Sequence, residues 1–184
     1  MAARRKKAGR SAAAAPKRAA GSLRTKLANA KLVVLDVDGV MTDGALYFGA
    51  RGEQLKVFHV RDGHGVKLLQ AAGIQVAVIS GRKSAAVARR CRDLGIRHVL
   101  QGIDDKSRAL DGLLKKLRLT PAQFACVGDD TPDIPLFVRA AFAVAVADAH
   151  PLARAAAHRI TTLPGGRGAV REVCDWLLDA RSRA

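Results

Sequence analysis

Residues 32–44 read Leu-Val-Val-Leu-Asp-Val-Asp-Gly-Val-Met-Thr-Asp-Gly, a short apolar run that ends abruptly in acidic residues and glycine. Four apolar residues are too few for a globular helix, and the central pair of valines favours a buried strand. Asp36 and Asp38 follow this strand directly. In a parallel sheet they would lie at the carboxyl end of the strand, where such sheets bind their ligands.

Similar short runs recur along the chain, at 74–79, 98–100, 124–127 and 142–146. Between and after them lie segments with apolar residues at helical spacing: 66–69, 86–94, 110–117 and 170–178. Strands that alternate with helices predict an α/β fold, with a parallel sheet covered by helices on both faces.

One segment interrupts this alternation, directly after the first strand. Residues 45–48, 49–52 and 53–60 read as strand, turn and strand, which predicts a β-hairpin insertion over about residues 44–60. Ser80 lies only 44 positions after Asp36, and the hairpin occupies part of that interval. No large additional domain fits between them.

Composition limits the class of protein. The 184 residues suffice for one ordinary domain, and aromatic residues make up only 4%, so the core must be largely aliphatic. The longest apolar run, residues 140–147, is too short to span a membrane as a helix. The spacing of Cys91, Cys126 and Cys174 matches neither a disulfide framework nor a zinc site, which favours a reducing, cytoplasmic setting.

The formal net charge of +16 is unevenly distributed. Residues 1–26 hold nine cations and no acid, whereas residues 27–184 hold 23 basic and 16 acidic residues, a net charge of +7. The first segment has no apolar periodicity, and we expect a disordered tail, at least before Ser22. Either the tail is a solvated extension without specific function, or it attracts nucleic acid non-specifically and in a salt-dependent way.

Polar residues follow the other predicted strands as well. They are Ser80 and Arg82 after the second run, Lys106 at the third helical segment, and Asp129, Asp130 and Asp133 after the fourth run. Each alone has a local explanation, such as a turn, a helix cap or a solvated surface charge. Carboxylates gathered at one sheet edge repel one another unless a cation lies among them, and Mg²⁺ prefers such oxygen ligands.

This set of groups suits phosphoryl transfer. A carboxylate such as Asp36 can attack phosphorus and form an aspartyl phosphate. A metal ion and a lysine would neutralise the phosphoryl oxygens. A second acid, Asp38, could protonate the leaving oxygen and then activate water.

In this order, the motifs Asp36-Val-Asp-Gly-Val40, Ser80, Lys106 and Gly128-Asp-Asp-Thr-Pro-Asp133 resemble the four motifs of the haloacid dehalogenase superfamily of phosphatases. Within it, the chain resembles the family that hydrolyses 3-deoxy-D-manno-octulosonate 8-phosphate (Kdo 8-phosphate). The further pieces that carry this resemblance are residues 41–44, 60–65, 81–84, 101–102, 146–151 and 165–172. The resemblance covers nearly all of residues 31–180 and implies a Rossmann-like three-layer fold, uncapped apart from the hairpin.

The resemblance also implies a role for each site residue. Asp36 would be the nucleophile and a Mg²⁺ ligand, and Asp38 the general acid and base, with its main-chain carbonyl on the metal. Ser80 and Lys106 would hold the phosphoryl group, and Asp129 would complete the metal site. Asp130 and Asp133 would support the metal ligands or orient the lysine.

For the substrate and the assembly, the resemblance implies an acidic sugar phosphate and a homotetramer with the hairpins at its centre. We expect Arg82 to bind the sugar carboxylate. Arg61, Lys83 and Arg167 are weaker candidates for the same role, and each of the four could instead be a solvated surface cation. Residues 165–168, Gly-Gly-Arg-Gly, would help to close a neighbouring active site, or else form a simple loop before the last helix.

The function implied is Mg²⁺-dependent hydrolysis of Kdo 8-phosphate to Kdo and phosphate, through an aspartyl phosphate, in lipopolysaccharide biosynthesis. Two alternatives stay open at this stage. One is a phosphatase of a related acidic sugar, such as N-acylneuraminate 9-phosphate. The other is a phosphatase-like assembly domain whose tail attracts nucleic acid.

Overall fold

The computed structural model describes residues 23–50 and 52–183. Within them the chain forms eight strands and seven helices. In chain order these are α1 (Leu23–Ala28), β1 (Leu32–Leu35), β2 (Tyr47–Gly49), β3 (Gly52–Leu55), α2 (Val60–Ala71), β4 (Gln75–Ser80), α3 (Ala85–Asp93), β5 (His98–Gln101), α4 (Lys106–Leu117), β6 (Phe124–Gly128), α5 (Ile134–Arg139), β7 (Phe142–Ala145), α6 (Pro151–Ala156), β8 (Arg159–Ile160) and α7 (Ala169–Ser182). None of these helices combines the length and the apolar character that crossing a membrane requires.

The central sheet has six parallel strands in the order β5-β4-β1-β6-β7-β8. The chain moves outward from β1 through α2 and α3, then crosses back and moves to the other edge through α4, α5 and α6. Because parallel crossovers are right-handed, the two directions place these helices on opposite faces of the sheet. The predicted α/β fold with both faces covered is confirmed.

The register of the sheet brings three strand ends together. Leu35 at the end of β1 lies opposite Val78 of β4 on one side and Val127 of β6 on the other. The backbone N–H of Asp36 still donates to the carbonyl of Val127, at 3.1 Å. The residues that follow these strands therefore share one edge of the sheet.

The core is built mainly from aliphatic side chains of the sheet strands and of the inner helix faces. Its largest fully buried side chains include Phe124, Phe137 and Phe142. Cys91, Cys126 and Cys174 are buried free thiols.

The hairpin prediction is confirmed, but its second strand is shorter than expected. Strands β2 and β3 pair antiparallel as a separate two-stranded sheet. Strand β3 ends at Leu55, and Val60, which we assigned to the strand, begins α2 instead. The chain leaves the hairpin there because Lys56 is buried and Phe58 packs against the core. Gly63 and Gly65 weaken the helical signal of α2 in the sequence.

The first helix begins inside the segment that the sequence analysis assigned to the tail. Residues 23–26 belong to α1, in which Leu27 is buried. Residues 1–22, with seven of the nine tail cations, lie outside the described residues.

Candidate active site

The loop after β1 forms a tight turn that presents two carboxylates at the sheet edge. The carbonyl oxygen of Val37 accepts from the N–H groups of Val40, Met41 and Thr42, at 3.2, 2.9 and 3.0 Å. Gly39 has a φ of 87°, a left-handed conformation that a side chain would oppose. The turn therefore fixes the backbone conformation at Asp36 and Asp38.

Lys106, the first residue of α4, lies between two of the acidic side chains. Its Nζ is 2.9 Å from Oδ1 of Asp36 and 2.7 Å from Oδ1 of Asp133. Burial lowers the pKa of Lys106, but the two carboxylates more than offset this effect, so its pKa is raised. The lysine therefore stays protonated beside the candidate nucleophile.

Three carboxylates gather around this lysine. Oxygen atoms of Asp36, Asp129 and Asp133 all lie within 4.8 Å of one another. Burial, then the charge of Asp133, raises the pKa of Asp36 to about 6. Burial, then the charges of Asp36 and Asp133, raises the pKa of Asp129 to about 8. Lys106 supplies only one positive charge, so this cluster of oxygen ligands fits a divalent cation.

Asp133 and Asp130 differ in what they contact. Oδ2 of Asp133 accepts from the backbone N–H of Asp129 at 3.1 Å, in addition to the contact of Asp133 with Lys106. Asp130 accepts from the N–H of Thr131 at 2.6 Å, as the cap of the short 3₁₀ turn that follows. Asp133 thus joins two site residues, whereas this contact of Asp130 is local.

Asp38 faces a different group of residues. Its Oδ1 pairs with Nζ of Lys56, whose side chain is only 1% exposed, and its Oδ2 lies 3.8 Å from Nε of Arg82. Among the described residues, the carboxylate cluster does not include the side chain of Asp38. The sequence analysis missed Lys56. The signal available was its place in the predicted strand, on the same face as Phe58.

A cavity of about 510 Å³ opens at this sheet edge. Ser80 is buried in its wall, and the hydroxyl oxygen of Ser80 accepts from the backbone N–H of Arg82 at 3.4 Å. The predicted site residues that line the cavity are Asp36, Asp38, Ser80, Arg82, Lys106, Asp129, Asp130 and Asp133.

Three predicted substrate-binding residues do not line this cavity in the part of the chain that the structure describes. Arg61 lies on α2 and borders a separate groove beside Gly168. The aliphatic part of the Lys83 side chain lies against Gly102. Arg167 pairs with Asp43 at 3.4 Å.

Residues 165–168 pack against the turn that follows the candidate nucleophile, Asp36, in the same chain. The N–H of Gly166 donates to the carbonyl of Val40 at 2.9 Å, and that of Gly165 donates to Asp148 at 2.9 Å. A Cβ on Gly165 would overlap the carbonyl oxygen of Gly39. In the single chain this segment therefore packs against the turn at residues 39–43 and stabilises it.

A buried acid, which the sequence analysis also missed, anchors the same segment. Asp62 on α2 accepts from the N–H of Gly168 at 3.3 Å and from that of Arg171 at 2.8 Å. Burial raises the pKa of Asp62, and these backbone donors partly oppose the shift. Helix α2, the glycine segment and α7 are thereby joined.

Comparisons with known proteins find relatives over most of the chain. A family model described as haloacid dehalogenase-like hydrolase matches residues 95–170. The chain is 50% identical over 159 residues to the 3-deoxy-D-manno-octulosonate 8-phosphate phosphatase of Salmonella typhi, which covers 86% of this chain and 85% of that protein.

Solved structures are similar over most of their length. The 3-deoxy-D-manno-octulosonate 8-phosphate phosphatase of Yersinia pestis has a TM-score of 0.85 and 47% identity, and the match covers 88% of this chain and 87% of that one. The phosphatase from Moraxella catarrhalis, solved in complex with magnesium, phosphate and KDO, has a TM-score of 0.84 and 43% identity, with 87% and 92% covered.

Proposed function

Because the chain belongs to the family of 3-deoxy-D-manno-octulosonate 8-phosphate phosphatases, among the haloacid dehalogenase-like hydrolases, we propose that it hydrolyses Kdo 8-phosphate to Kdo and phosphate with bound Mg²⁺. The observation that carries the proposal is the ion pair of Lys106 with Asp36, at 2.9 Å, inside a cavity lined by acidic residues. This is the arrangement that an aspartate nucleophile requires.

In the first half of the reaction, a carboxylate oxygen of Asp36 attacks phosphorus, and the bond from phosphorus to the sugar oxygen breaks. Asp38 donates its proton to that oxygen, so the sugar leaves as an alcohol. Ser80 donates a hydrogen bond to the phosphoryl group, and Lys106 neutralises part of its charge. The products of this half are Kdo and an aspartyl phosphate on Asp36.

In the second half, Asp38, now ionised, takes a proton from a water molecule that attacks the aspartyl phosphate. The acyl phosphate is cleaved, inorganic phosphate leaves, and the carboxylate of Asp36 is restored. Asp38 ends the cycle protonated, ready for the next substrate. The two halves balance in atoms and protons.

Mg²⁺ would be held by the carboxylates of Asp36 and Asp129 and by the main-chain carbonyl of Asp38. The cluster supports this assignment, because its crowded, buried oxygens raise the pKa of Asp129 to about 8 when no cation offsets them. When bound, the ion neutralises negative charge on the phosphoryl oxygens. Asp133 would maintain the site through its bonds to Lys106 and to the backbone of Asp129.

For recognition of the sugar we propose Arg82, because it lines the cavity beside Asp38 and can bind a carboxylate with two parallel hydrogen bonds. Phe48 of the hairpin lies under the guanidinium of Arg82, 6.0 Å from it, and helps to direct it. Arg61 borders a separate groove, whereas Lys83 and Arg167 lie beside the cavity without lining it, so we give these three residues no direct contact with the sugar within one chain.

We further propose a homotetramer with the hairpins at its centre. The hairpin and the residues that follow it expose a group of apolar side chains, and contiguous patches of this kind mark interaction sites. The members of this hairpin patch are Leu46, Tyr47, Phe48, Leu55, Val57 and Val60. Burial of the patch between subunits would also place a neighbour near each open cavity.

We assign the activity to the cytoplasm, which the three buried free thiols favour, and to lipopolysaccharide biosynthesis. We regard residues 1–26 as a region apart from the phosphatase domain, with at most a non-specific attraction to nucleic acid.

The test is a phosphate-release assay on purified protein with Kdo 8-phosphate and N-acylneuraminate 9-phosphate, each with Mg²⁺ or with EDTA. We expect turnover of Kdo 8-phosphate to be faster and to need the metal. Asp36→Asn removes the nucleophile, and we expect at least about a 1,000-fold loss with the fold retained by circular dichroism. Faster turnover of the neuraminate substrate would overturn the substrate assignment, and an active Asp36→Asn protein would overturn the covalent mechanism.

A further inference from the structure

Lys56 is a buried cation at the edge of the active site that the mechanism above does not use. It follows β3 directly, its side chain is 1% exposed, and its ammonium pairs with Oδ1 of Asp38. Lys56 does not line the cavity, whereas Asp38 does. The lysine therefore approaches Asp38 from the protein interior.

This contact distinguishes the two oxygens of Asp38. Oδ1 is held from the interior by Lys56, and Oδ2 is on the side of Arg82, whose Nε lies 3.8 Å away. Arg82 is part of the cavity wall, so Oδ2 is the oxygen that a bound substrate can reach. The side chain of Asp38 is 20% exposed and lines the cavity.

An anchor on Asp38 matters because of the groups around it. The carboxylate cluster of Asp36, Asp129 and Asp133 would hold a cation two residues from Asp38, and an unanchored carboxylate would turn toward that cation. A proton donor misplaced by about 1 Å can lose about 100-fold in rate. The ion pair with the buried ammonium of Lys56 resists this rotation.

We propose that Lys56 is a positioning residue that fixes Oδ1 of Asp38 and thereby aims Oδ2 at the leaving oxygen of the substrate. This inference rests on the role of proton donor given to Asp38 in the proposed function. Lys56 itself touches neither the phosphoryl group nor the sugar. Its effect is confined to the step that needs the proton.

Two substrates with different leaving groups separate this role from a structural one. The sugar alkoxide of Kdo 8-phosphate must be protonated as it leaves, whereas p-nitrophenolate leaves p-nitrophenyl phosphate without a proton. The value of kcat/KM reports the chemistry up to the first departure of the leaving group. We expect Lys56→Met to lower kcat/KM about 100-fold more for Kdo 8-phosphate than for p-nitrophenyl phosphate.

Three further variants complete the design. Asp38→Asn should show the same dependence on leaving group, at least as strongly. Lys56→Arg keeps the positive charge and should recover part of the loss with Kdo 8-phosphate. Lys67→Met removes an exposed lysine of α2 and should change neither substrate's kinetics. If Lys56→Met does not yield folded protein, Lys56→Gln takes its place.

The outcomes are distinct. Equal losses with both substrates, or no loss with either, in a folded Lys56 variant would overturn the positioning role. Failure of Lys56→Arg to exceed Lys56→Met with Kdo 8-phosphate would also overturn it. If Asp38→Asn shows no leaving-group dependence, the assignment of Asp38 as proton donor fails, which is a failure of the proposed function.

Discussion

Asp133 contacts two other residues of the candidate active site. One of its oxygens accepts from Lys106 and the other from the backbone N–H of Asp129, and the residue is buried. It therefore positions both Lys106, beside the proposed nucleophile, and the backbone of Asp129, a proposed metal ligand. Groups that orient metal ligands in this way commonly affect metal affinity or activity 10- to 100-fold, roughly.

We predict that Asp133→Asn lowers kcat by about 10- to 100-fold and raises the Mg²⁺ concentration needed for half-maximal activity. Both contacts of Asp133 lose a charged acceptor in this variant. Asp130→Asn should cost much less, since an asparagine can still cap the turn at Thr131. Titration of activity with Mg²⁺ for both variants provides the measurement. A larger loss in Asp130→Asn than in Asp133→Asn would contradict this ranking.

The carboxylate cluster predicts how the metal-free protein responds to pH. The pKa of Asp36 is about 6 and that of Asp129 about 8, above their ordinary value of 3.8. The native state therefore holds protons that the unfolded chain has released, and between about pH 4 and 8 these groups lower stability as pH rises. A bound cation needs the ionised forms, so its stabilising effect grows over the same range.

The measurement is the difference in Tm between protein saturated with Mg²⁺ and protein in EDTA, at pH 6, 7 and 8.5. We expect this difference to increase with pH, because fewer protons must be displaced by the ion. Asp129→Asn removes the group with the higher pKa and should flatten the increase. A difference that stays constant across the range would refute the link between the cluster and the metal.

The sequence identifies some of these residues and hides others for a physical reason. The shared location of Asp36, Ser80 and Asp129 could be predicted because Asp36 and Asp129 directly follow strands, Ser80 ends one, and parallel strands end at a common edge. Lys56 has only a weak signal, its position on the same strand face as Phe58, because its burial depends on how the chain leaves the hairpin and packs Phe58 on the core. The residue types near Lys56 do not predict the path that the chain takes after the hairpin.

At the level of the element, the glycine segment 165–168 packs closely against the turn at residues 39–43. Gly165 approaches the carbonyl of Gly39 so closely that an added methyl group has no space. Gly166 has a φ of 63° and would place a Cβ against the backbone of Thr42 and Asp43. Backbone contacts of this kind transmit any shift directly to Asp36 and Asp38.

Gly165→Ala should therefore displace the turn, with a loss of about 1–3 kcal/mol in unfolding free energy and at least about a 10-fold loss in kcat. Gly112→Ala is the matched control, because the residue is inside α4 and the added Cβ has no described atom within 4 Å apart from the adjacent residues and backbone of its own helix. That change should stabilise by about 0.5–1 kcal/mol and leave kcat unaltered. Urea denaturation and steady-state kinetics measure both; equal behaviour of the two variants would contradict the prediction.

Elements were predictable where they are long or strongly patterned. The five core strands 32–35, 75–80, 98–101, 124–128 and 142–145 lie where the apolar runs indicated. Helices α5 and α6 have six residues each and β8 has two, too few to show a period. Their positions depend on the sheet against which they pack.

For the whole molecule, the proposed assembly through the hairpin patch gives a direct prediction. Leu55 belongs to the patch and is 53% exposed in the single chain, whereas Leu152 on α6 is 58% exposed and lies outside it. We expect Leu55→Glu to dissociate the tetramer, because four charges would be buried at its centre. Leu152→Glu should leave the assembly unchanged. Sedimentation velocity at matched concentrations provides the comparison, and dissociation by Leu152→Glu alone would argue against the patch.

The contact between residues 165–168 and the turn at residues 39–43 has a consequence for biogenesis. A chain that emerges from the ribosome amino terminus first exposes Asp36 early, yet the segment that backs its turn is translated more than a hundred residues later. A nascent chain can therefore form β1, β4 and β6 while the turn after β1 still lacks its contacts with residues 165–168. We therefore expect hydrolytic activity only after residues 165–168 have been translated and have packed against this turn.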